Sequence, residues 1–156
     1  VGHSWQERSK GLGRVVHDLH LHPEAPGRLY GCSPIGFFLS EDLGEQWQER
    51  NAGLAYLNSG CLGVLPSDPE VVFLTSHQTS RGGGTVYRSQ NAGQRWEACA
   101  GLPFGTDLRY TALAVHSQSI LVGSSAGEVF WSGNLGTTWE KIRSNLPPVT
   151  TLRFLT

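Results

Sequence analysis

Three alternating polar side chains, Asp18, His20 and His22, are the clearest candidates for metal chemistry in this sequence. On a β-strand all three would point to one face, where a His-x-His pair can bind Zn²⁺ or Cu²⁺. Two later segments align with this one and hold mostly small or apolar residues at the histidine positions: Gly63, Leu65, Ala114 and His116. Such residue types are typical of packing, so we expect a structural strand and no metal site.

Candidates for a catalytic centre are sparse. The motif G-x-S-x-G, which would indicate a serine nucleophile, does not occur in the sequence. Glycoside hydrolysis needs two acidic groups that face one sugar. Asp107 is the best acid in the variable part of the chain, and no second acid is obvious beside it. We therefore predict no catalytic residue and no cofactor for this chain.

The three cysteines, Cys32, Cys61 and Cys99, include no C-x-x-C pair, and an odd number cannot all pair within one chain. We expect them to be small buried strand residues, because free cysteine is among the most buried residue types. A disulfide between Cys32 and Cys61 is the alternative.

Composition and charge exclude several classes of partner. The chain has 156 residues, of which 38% are apolar, and a formal net charge of −1. Lysine and arginine are scattered, so we expect no nucleic-acid partner. Apolar runs such as Val71 to Leu74 are far shorter than a bilayer crossing requires, so we expect no membrane insertion. The sequence contains no methionine, which suggests a processed or excised segment, and the compartment stays open.

A repeat organises the whole chain. Its pattern is S-x-[DN]-x-G-x-x-W, and the full copies are Ser40, Asp42, Gly44 and Trp47; Ser89, Asn91, Gly93 and Trp96; and Ser132, Asn134, Gly136 and Trp139. Residues 2–5 form a clipped fourth copy, and the tryptophans recur every 42 to 49 residues. The segments on both sides of each copy repeat as well, so a chance match is excluded.

Each repeat holds four short β-rich runs, a number and length typical of one β-propeller blade. We therefore predict an all-β propeller of four-stranded antiparallel blades, with complete blades near residues 15–54, 59–102 and 110–146. Residues 4–9 and 149–155 would supply terminal strands of a further blade. A closed ring needs at least four blades. Either the terminal strands share a closing blade, or the chain belongs to a larger propeller or associates with itself.

The repeat resembles the Asp-box (BNR) repeat of sialidases, xyloglucan-cleaving glycoside hydrolases, sortilin-type receptors and photosystem II assembly factors. The resemblance covers essentially the whole chain and implies that each box is a hairpin between the third and fourth strands of a blade. There Asp42 would accept backbone hydrogen bonds, Gly44 would supply a positive φ, and Trp47 would pack between blades. A sialidase would add an Arg-Ile-Pro motif, and none occurs here.

Ligands would then bind on the rim opposite the boxes, where the loops vary in length and sequence. The candidate binding residues there are Arg14, Tyr56, Asn58, His77, Arg81, Asp107, Arg109 and Tyr110. The longest loop, Ser76 to Thr85, contains three consecutive glycines. Loop extensions on a rigid scaffold are usual places for function.

The sequence favours a non-catalytic binding or assembly module that presents these loops to a protein or glycan partner. The alternative is part of a glycoside hydrolase of the sialidase or xyloglucanase kind. An enzyme should show paired carboxylates near the channel mouth, whereas a scaffold should show an apolar or mixed patch there.

Overall fold

The computed structural model describes residue 4 and residues 6–155. The clipped box at residues 2–5 therefore lies largely outside the described residues. The described part contains β-strands and no helix that is long and apolar enough to cross a membrane. The strands are β1 Asp18–His22, β2 Ala25–Ser33, β3 Gly36–Ser40, β4 Gln48–Glu49, β5 Asn58–Leu65, β6 Asp68–His77, β7 Gly84–Ser89, β8 Glu97–Ala98, β9 Tyr110–His116, β10 Ser119–Ser124, β11 Val129–Ser132 and β12 Glu140–Arg143.

These strands form three four-stranded antiparallel sheets, each built from consecutive strands in chain order. We call them blade 1 (β1 to β4), blade 2 (β5 to β8) and blade 3 (β9 to β12). The first strand of blade 2, β5, contacts the first strands of both other blades, β1 and β9, which makes these the inner strands, while β4, β8 and β12 form the outer edges. The prediction of an all-β fold with four-stranded antiparallel blades is confirmed.

The hydrophobic core consists of two layers, one between each pair of neighbouring blades. Strand β6 contributes to both layers, since Val72 and Leu74 pack toward blade 1 while Val71 and Phe73 pack toward blade 3. Alternate residues of a strand point to opposite faces of its sheet. The continuous apolar run in β6 is therefore explained by a sheet that is covered on both faces.

The three boxes form the same hairpin, between the third and fourth strands of each blade. In blade 1 the Ser40 hydroxyl donates to Asp42 Oδ1 at 2.8 Å and accepts from the Gly44 amide, also at 2.8 Å. Asp42 Oδ1 also accepts from the Gln46 amide at 2.9 Å. Asn91 and Asn134 accept in the same way in the other two boxes, so an amide oxygen serves as well as a carboxylate.

Two successive residues of each box have a positive φ. In blade 1 these are Leu43 at 57° and Gly44 at 87°, and blades 2 and 3 repeat the arrangement. The leucine is unexpected, because residues with a Cβ avoid the left-handed region. The hydrogen bonds of the serine hydroxyl hold the turn in this conformation.

Box tryptophans join each blade to the chain that precedes it. The Trp96 indole N–H donates to the Arg50 carbonyl at 2.8 Å, and the Trp96 ring packs edge-on against Phe37. The Trp47 indole donates in the same way to the Arg8 carbonyl. Trp139 differs, because its indole N–H is buried and has no acceptor among the described residues.

The chain on either side of the blades is not assigned to strands. Residues 6–9 and 149–155 lack regular pairing, so the terminal strands expected at 4–9 and 149–155 are not formed in the described residues. Isolated hydrogen bonds hold these segments instead, for example from the Trp47 indole N–H to the Arg8 carbonyl and from the Val149 amide to the Ser124 carbonyl. A strand needs a ladder partner, and these segments have none in the described chain.

Contacts between blades account for the polar residues of β1. Buried His22 contacts the Leu65 carbonyl through Nε2 at 2.9 Å, and its Nδ1 accepts from the Glu24 amide. Asp18 accepts from the Leu62 amide at 2.9 Å and lies 3.3 Å from His20. These side chains join blade 1 to blade 2.

All three cysteines are free thiols, so the alternative of a Cys32–Cys61 disulfide is wrong for this structure. Cys32 is buried and the other two are partly buried. Burial raises the pKa of each thiol, in the case of Cys99 to about 11.

Candidate functional site

Antiparallel pairing divides the connections between strands into two rims. The box rim carries the three box hairpins and the short turns that join the first and second strands of each blade. The loop rim, on the opposite side, carries the turns from second to third strands and the links from one blade to the next. Blade-to-blade links and the Gln78–Gly83 loop make the loop rim the more irregular surface.

The two rims differ in the sign of their charged residues. The turns of the box rim carry the acids Glu24, Glu41, Asp42 and Glu45 and a single base, Arg95. The loop rim carries Arg14, Arg81 and Arg109 together with the acids Asp107 and Glu128. Glu128 is paired with Lys141 at 3.0 Å, which leaves Asp107 as the exposed acid of that rim. The net charge of −1 therefore conceals an uneven distribution.

A cavity of about 310 Å³ opens on the loop rim where the inner strands of the three blades begin. We call it the rim pocket. Its lining residues are His17, Asn58, Ser59, Gly60, Cys61, His77, Ser80, Arg109, Tyr110 and Thr111. Every blade or its preceding link contributes, so the site depends on how the blades pack.

His77 forms one wall of the rim pocket and connects two blades. Its Nδ1 lies 3.1 Å from the Asn58 carbonyl, and its Nε2 lies 3.3 Å from the Tyr110 carbonyl of blade 3. Burial lowers the pKa of His77, and the nearby Arg109 and His17 lower it further against the opposing effect of the two carbonyls. A neutral ring can donate to only one of the two carbonyls at a time.

Arg109 and His17 are the other basic groups of the rim pocket. The backbone of Arg109 is held at both ends, because its amide donates to Ser125 Oγ at 3.0 Å and its carbonyl accepts from the Ser125 amide. Its guanidinium forms no hydrogen bond or ion pair with any described residue, and Arg109 as a whole is partly buried. His17 Nδ1 lies 2.6 Å from the Ser59 carbonyl. That contact orients the ring.

Among residue 4 and residues 6–155, no carboxylate lines the rim pocket. Asp18 is adjacent in sequence to His17, but its carboxylate accepts from the amides of Leu62 and Leu19 and pairs with His20. Although burial opposes it, these bonds lower the pKa of Asp18. The pocket therefore presents basic and neutral polar groups, without a pair of acids.

Exposed apolar side chains are common on the loop rim. They include Val15, Val16, Ile35, Leu57, Phe104 and Leu146. Phe104 is 59% exposed, in the link that leads to Arg109. On the box rim, Leu43 is the corresponding large apolar residue, with an exposure of 51%. The turns and links of the loop rim therefore expose more large apolar side chains than the turns of the box rim do.

Four of the sequence-predicted binding residues meet at the rim pocket: Asn58, His77, Arg109 and Tyr110. Tyr110 needs a correction, because its side chain is 0% exposed and belongs to the core between blades 2 and 3. Its hydroxyl donates to the Pro103 carbonyl, so the ring is not a binding anchor, and only the backbone carbonyl reaches the His77 wall. An aromatic residue at the start of an inner strand is directed into the core.

The other four predicted residues do not line the rim pocket. Arg14, Arg81 and Asp107 are exposed elsewhere in the loop rim, and Tyr56 is partly buried, with its carbonyl accepting from Ser76. Sequence reasoning missed His17, Ser59, Gly60, Cys61, Ser80 and Thr111. Most of these begin the inner strands, and their equivalent positions in successive repeats were the signal that could have found them.

No protein-family model matches the sequence, and no curated protein matches it. Several solved structures do match the fold. An ancestral GH74 enzyme is 18% identical to this chain, with a TM-score of 0.78. The match covers 92% of this chain and 20% of the enzyme. The GH74 xyloglucanase from Xanthomonas campestris is 24% identical with a TM-score of 0.68 and covers 88% of this chain and 22% of its own.

YCF48 from Cyanidioschyzon merolae is a third similar structure, 15% identical with a TM-score of 0.63; it covers 82% of this chain and 37% of its own. YCF48 has also been solved bound to a D1 peptide. The chain thus spans about a fifth of the GH74 enzymes and just over a third of YCF48. At these identities the likeness concerns the fold. The chain therefore has the fold of a run of three four-stranded β-propeller blades.

Proposed function

We propose that this chain is a non-catalytic binding module that presents its loop rim to a protein partner. The observation that carries the proposal is the combination of exposed apolar side chains and a pocket on the same rim. On the box rim, the repeated serine and Asx side chains are bound within their own hairpins. A similar fold, YCF48, has been solved with a bound peptide, which supports a protein partner.

The glycoside hydrolase alternative is supported by the fold similarity to GH74 enzymes. Hydrolysis of a glycosidic bond uses two carboxyl groups about 5 to 10 Å apart around the sugar. Among the described residues, the rim pocket contains no carboxyl group, and Asp107 is exposed outside it. The binding module is therefore the better supported proposal for this chain.

Selection of random dodecapeptides displayed on phage tests the proposal without knowledge of the natural partner. Selected peptides should bind through the loop rim, and Phe104→Ser should weaken them by about tenfold or more, as expected for an exposed aromatic anchor. Leu43→Ser on the box rim is the matched control, because Leu43 has a similar exposure. It should change the affinity by less than about twofold.

Two outcomes would contradict the proposal. Peptides that lose affinity on Leu43→Ser and keep it on Phe104→Ser would move the binding surface to the box rim. Release of reducing sugar from xyloglucan by the purified chain, abolished by Asp107→Asn, would show catalysis.

A further inference from the structure

The geometry points to a specific ligand chemistry for the rim pocket: we propose that it binds a carboxylate group of a peptide. This inference rests on the proposed function and narrows it from a protein partner to a peptide with a free carboxylate. The carboxylate can belong to a peptide C-terminus or to an aspartate or glutamate side chain, and the experiment below separates these two sources.

The lining of the rim pocket carries basic groups without an acid. Arg109 and His17 line it, and no acid lines it among the described residues. The nearest acid in sequence, Asp18, is already bound to two backbone amides and to His20. A carboxylate that entered the pocket would meet basic and neutral polar groups only, so attraction would not be offset by a like charge.

Arg109 lines the rim pocket and is partly buried as a residue. Its backbone is fixed by two hydrogen bonds to Ser125, whereas its guanidinium has no partner among the described residues. By contrast, Arg28 of strand β2, which is also partly buried, is bound by both Glu41 and Glu70. A planar guanidinium with free donors matches the two oxygens of a carboxylate.

The two histidines of the rim pocket differ in the number of ring nitrogens that contact backbone carbonyls. His77 has both ring nitrogens against backbone carbonyls, so it shapes the wall and has no free donor. His17 uses Nδ1 on the Ser59 carbonyl, which leaves Nε2 as its remaining polar atom. Nε2 is therefore the ring atom through which His17 can contact a ligand in the pocket.

A peptide suits the surroundings better than an acidic sugar. Exposed Leu57 directly precedes Asn58 of the pocket lining, and exposed Phe104 lies in the link that ends at Arg109. Apolar side chains next to an arginine fit a peptide whose carboxylate follows a hydrophobic residue. A sugar acid would instead place several hydroxyl groups against these apolar side chains, where they would lose hydrogen bonds to water.

The test uses three small probes and NMR of the isotope-labelled full chain. The probes are N-acetyl-leucyl-leucine, its C-terminal amide, and N-acetyl-leucyl-glutamyl amide. We expect one or both acids to shift the backbone amides of Gly60 and Thr111 in the rim pocket. The neutral amide should bind at least about tenfold more weakly, because the arginine then has no charged acceptor. Which acid binds identifies the source of the carboxylate.

Substitutions then assign the contact. Arg109→Gln should weaken the acid probe by about tenfold or more, and Arg109→Lys should retain part of the affinity, because the charge remains without the forked donors. Arg14→Gln is the matched control, since Arg14 is exposed on the same rim and does not line the pocket. It should change the affinity by less than about twofold.

Three results would overturn the inference. The first is an affinity for the neutral amide equal to that for the acid, and the second is an unchanged affinity for the acid in Arg109→Gln. The third is a shift of the rim-pocket amides with glucuronic acid but with neither of the peptide acids. If the neutral amide binds the loop rim as well as the acid does, the inference fails while the proposed function stands. If phage-selected peptides bind the box rim, the proposed function fails first.

Discussion

The two rims of the same three blades differ in how regular they are. On the box rim, serine and Asx side chains form closed hairpins that repeat with nearly equal distances in every blade. On the loop rim, the links differ from blade to blade and leave a pocket, exposed apolar side chains and a guanidinium, that of Arg109, which has no partner in the described part of the chain. The repeated residues of this chain therefore stabilise the fold, whereas the residues that differ between blades are available to bind a ligand.

The largest expected effect comes from Gly93 on the box rim. Its φ is +82°, and a Cβ there would overlap the buried ring of Phe37. Gly93→Ala should therefore lower the free energy of unfolding by about 2 to 5 kcal/mol, the sum of left-handed strain and overpacking. Urea denaturation measures the change.

Gly101→Ala is the control for that substitution. Gly101 also has a positive φ, +87°, but the nearest atom to its added Cβ would be Trp139 Cδ1 at 3.8 Å. Only the strain remains, about 1 to 2 kcal/mol. Equal losses in the two variants would show that contact with Phe37 does not matter.

The second prediction concerns the box hydroxyl. The Ser89 hydroxyl donates to Asn91 Oδ1 at 2.9 Å and accepts from the Gly93 amide at 2.8 Å. Ser89→Ala leaves that buried amide without an acceptor, which should cost about 1 to 3 kcal/mol of unfolding free energy. Ser67→Ala, in an exposed turn of the same rim, should change it by less than about 0.5 kcal/mol. If the Ser89 variant were as stable as the Ser67 variant, the box hydroxyl would not stabilise the hairpin.

The third prediction concerns His77, a loop-rim residue that also joins two blades. Its pKa in the folded chain lies below the ordinary value of 6.5. As the pH falls, His77 is therefore protonated in the unfolded chain before it is protonated in the folded chain. The stability that neutral His77 contributes is complete above pH 6.5 and is lost as the pH falls toward the folded pKa. Urea denaturation between pH 5 and 8 should show that the free energy of unfolding changes less with pH in His77→Gln than in the wild type. Exposed His116→Gln is the control, and parallel slopes in wild type and His77→Gln would contradict the assignment.

The smallest expected effect is that of Asp42→Asn. Asn91 and Asn134 accept from backbone amides in the same way as Asp42 does, so the amide should preserve the hairpin. At pH 7 Asp42→Ala should lower the melting temperature more than Asp42→Asn does. Hydrogen bonds from the Gln46 amide and the Ser40 hydroxyl lower the pKa of Asp42. Any advantage of the wild type over Asp42→Asn should therefore shrink as the pH falls below 3.8.

The fold was predictable because a repeat constrains every blade in the same way. Four β-rich runs between recurrent tryptophans were sufficient to predict four-stranded antiparallel sheets, and the structure confirms them. The rim pocket was only partly predictable, since its walls come from strand starts that are far apart in sequence, such as His17, Asn58 and Arg109. Tyr110 shows the limit of residue type as a guide, because a tyrosine at a strand start can be a core residue as readily as a contact residue.

The two core layers described above also imply an order of local opening. Blade 2 is packed on both faces, and Trp96 ties it to blade 1 through the Arg50 carbonyl, whereas the Trp139 indole N–H finds no acceptor among the described residues. In repeat architectures each unit is stabilised by its own strands and by its immediate neighbours. Amide hydrogen exchange should therefore be slowest in β6, while the amides of β11 and β12 exchange through partial openings that leave blades 1 and 2 intact.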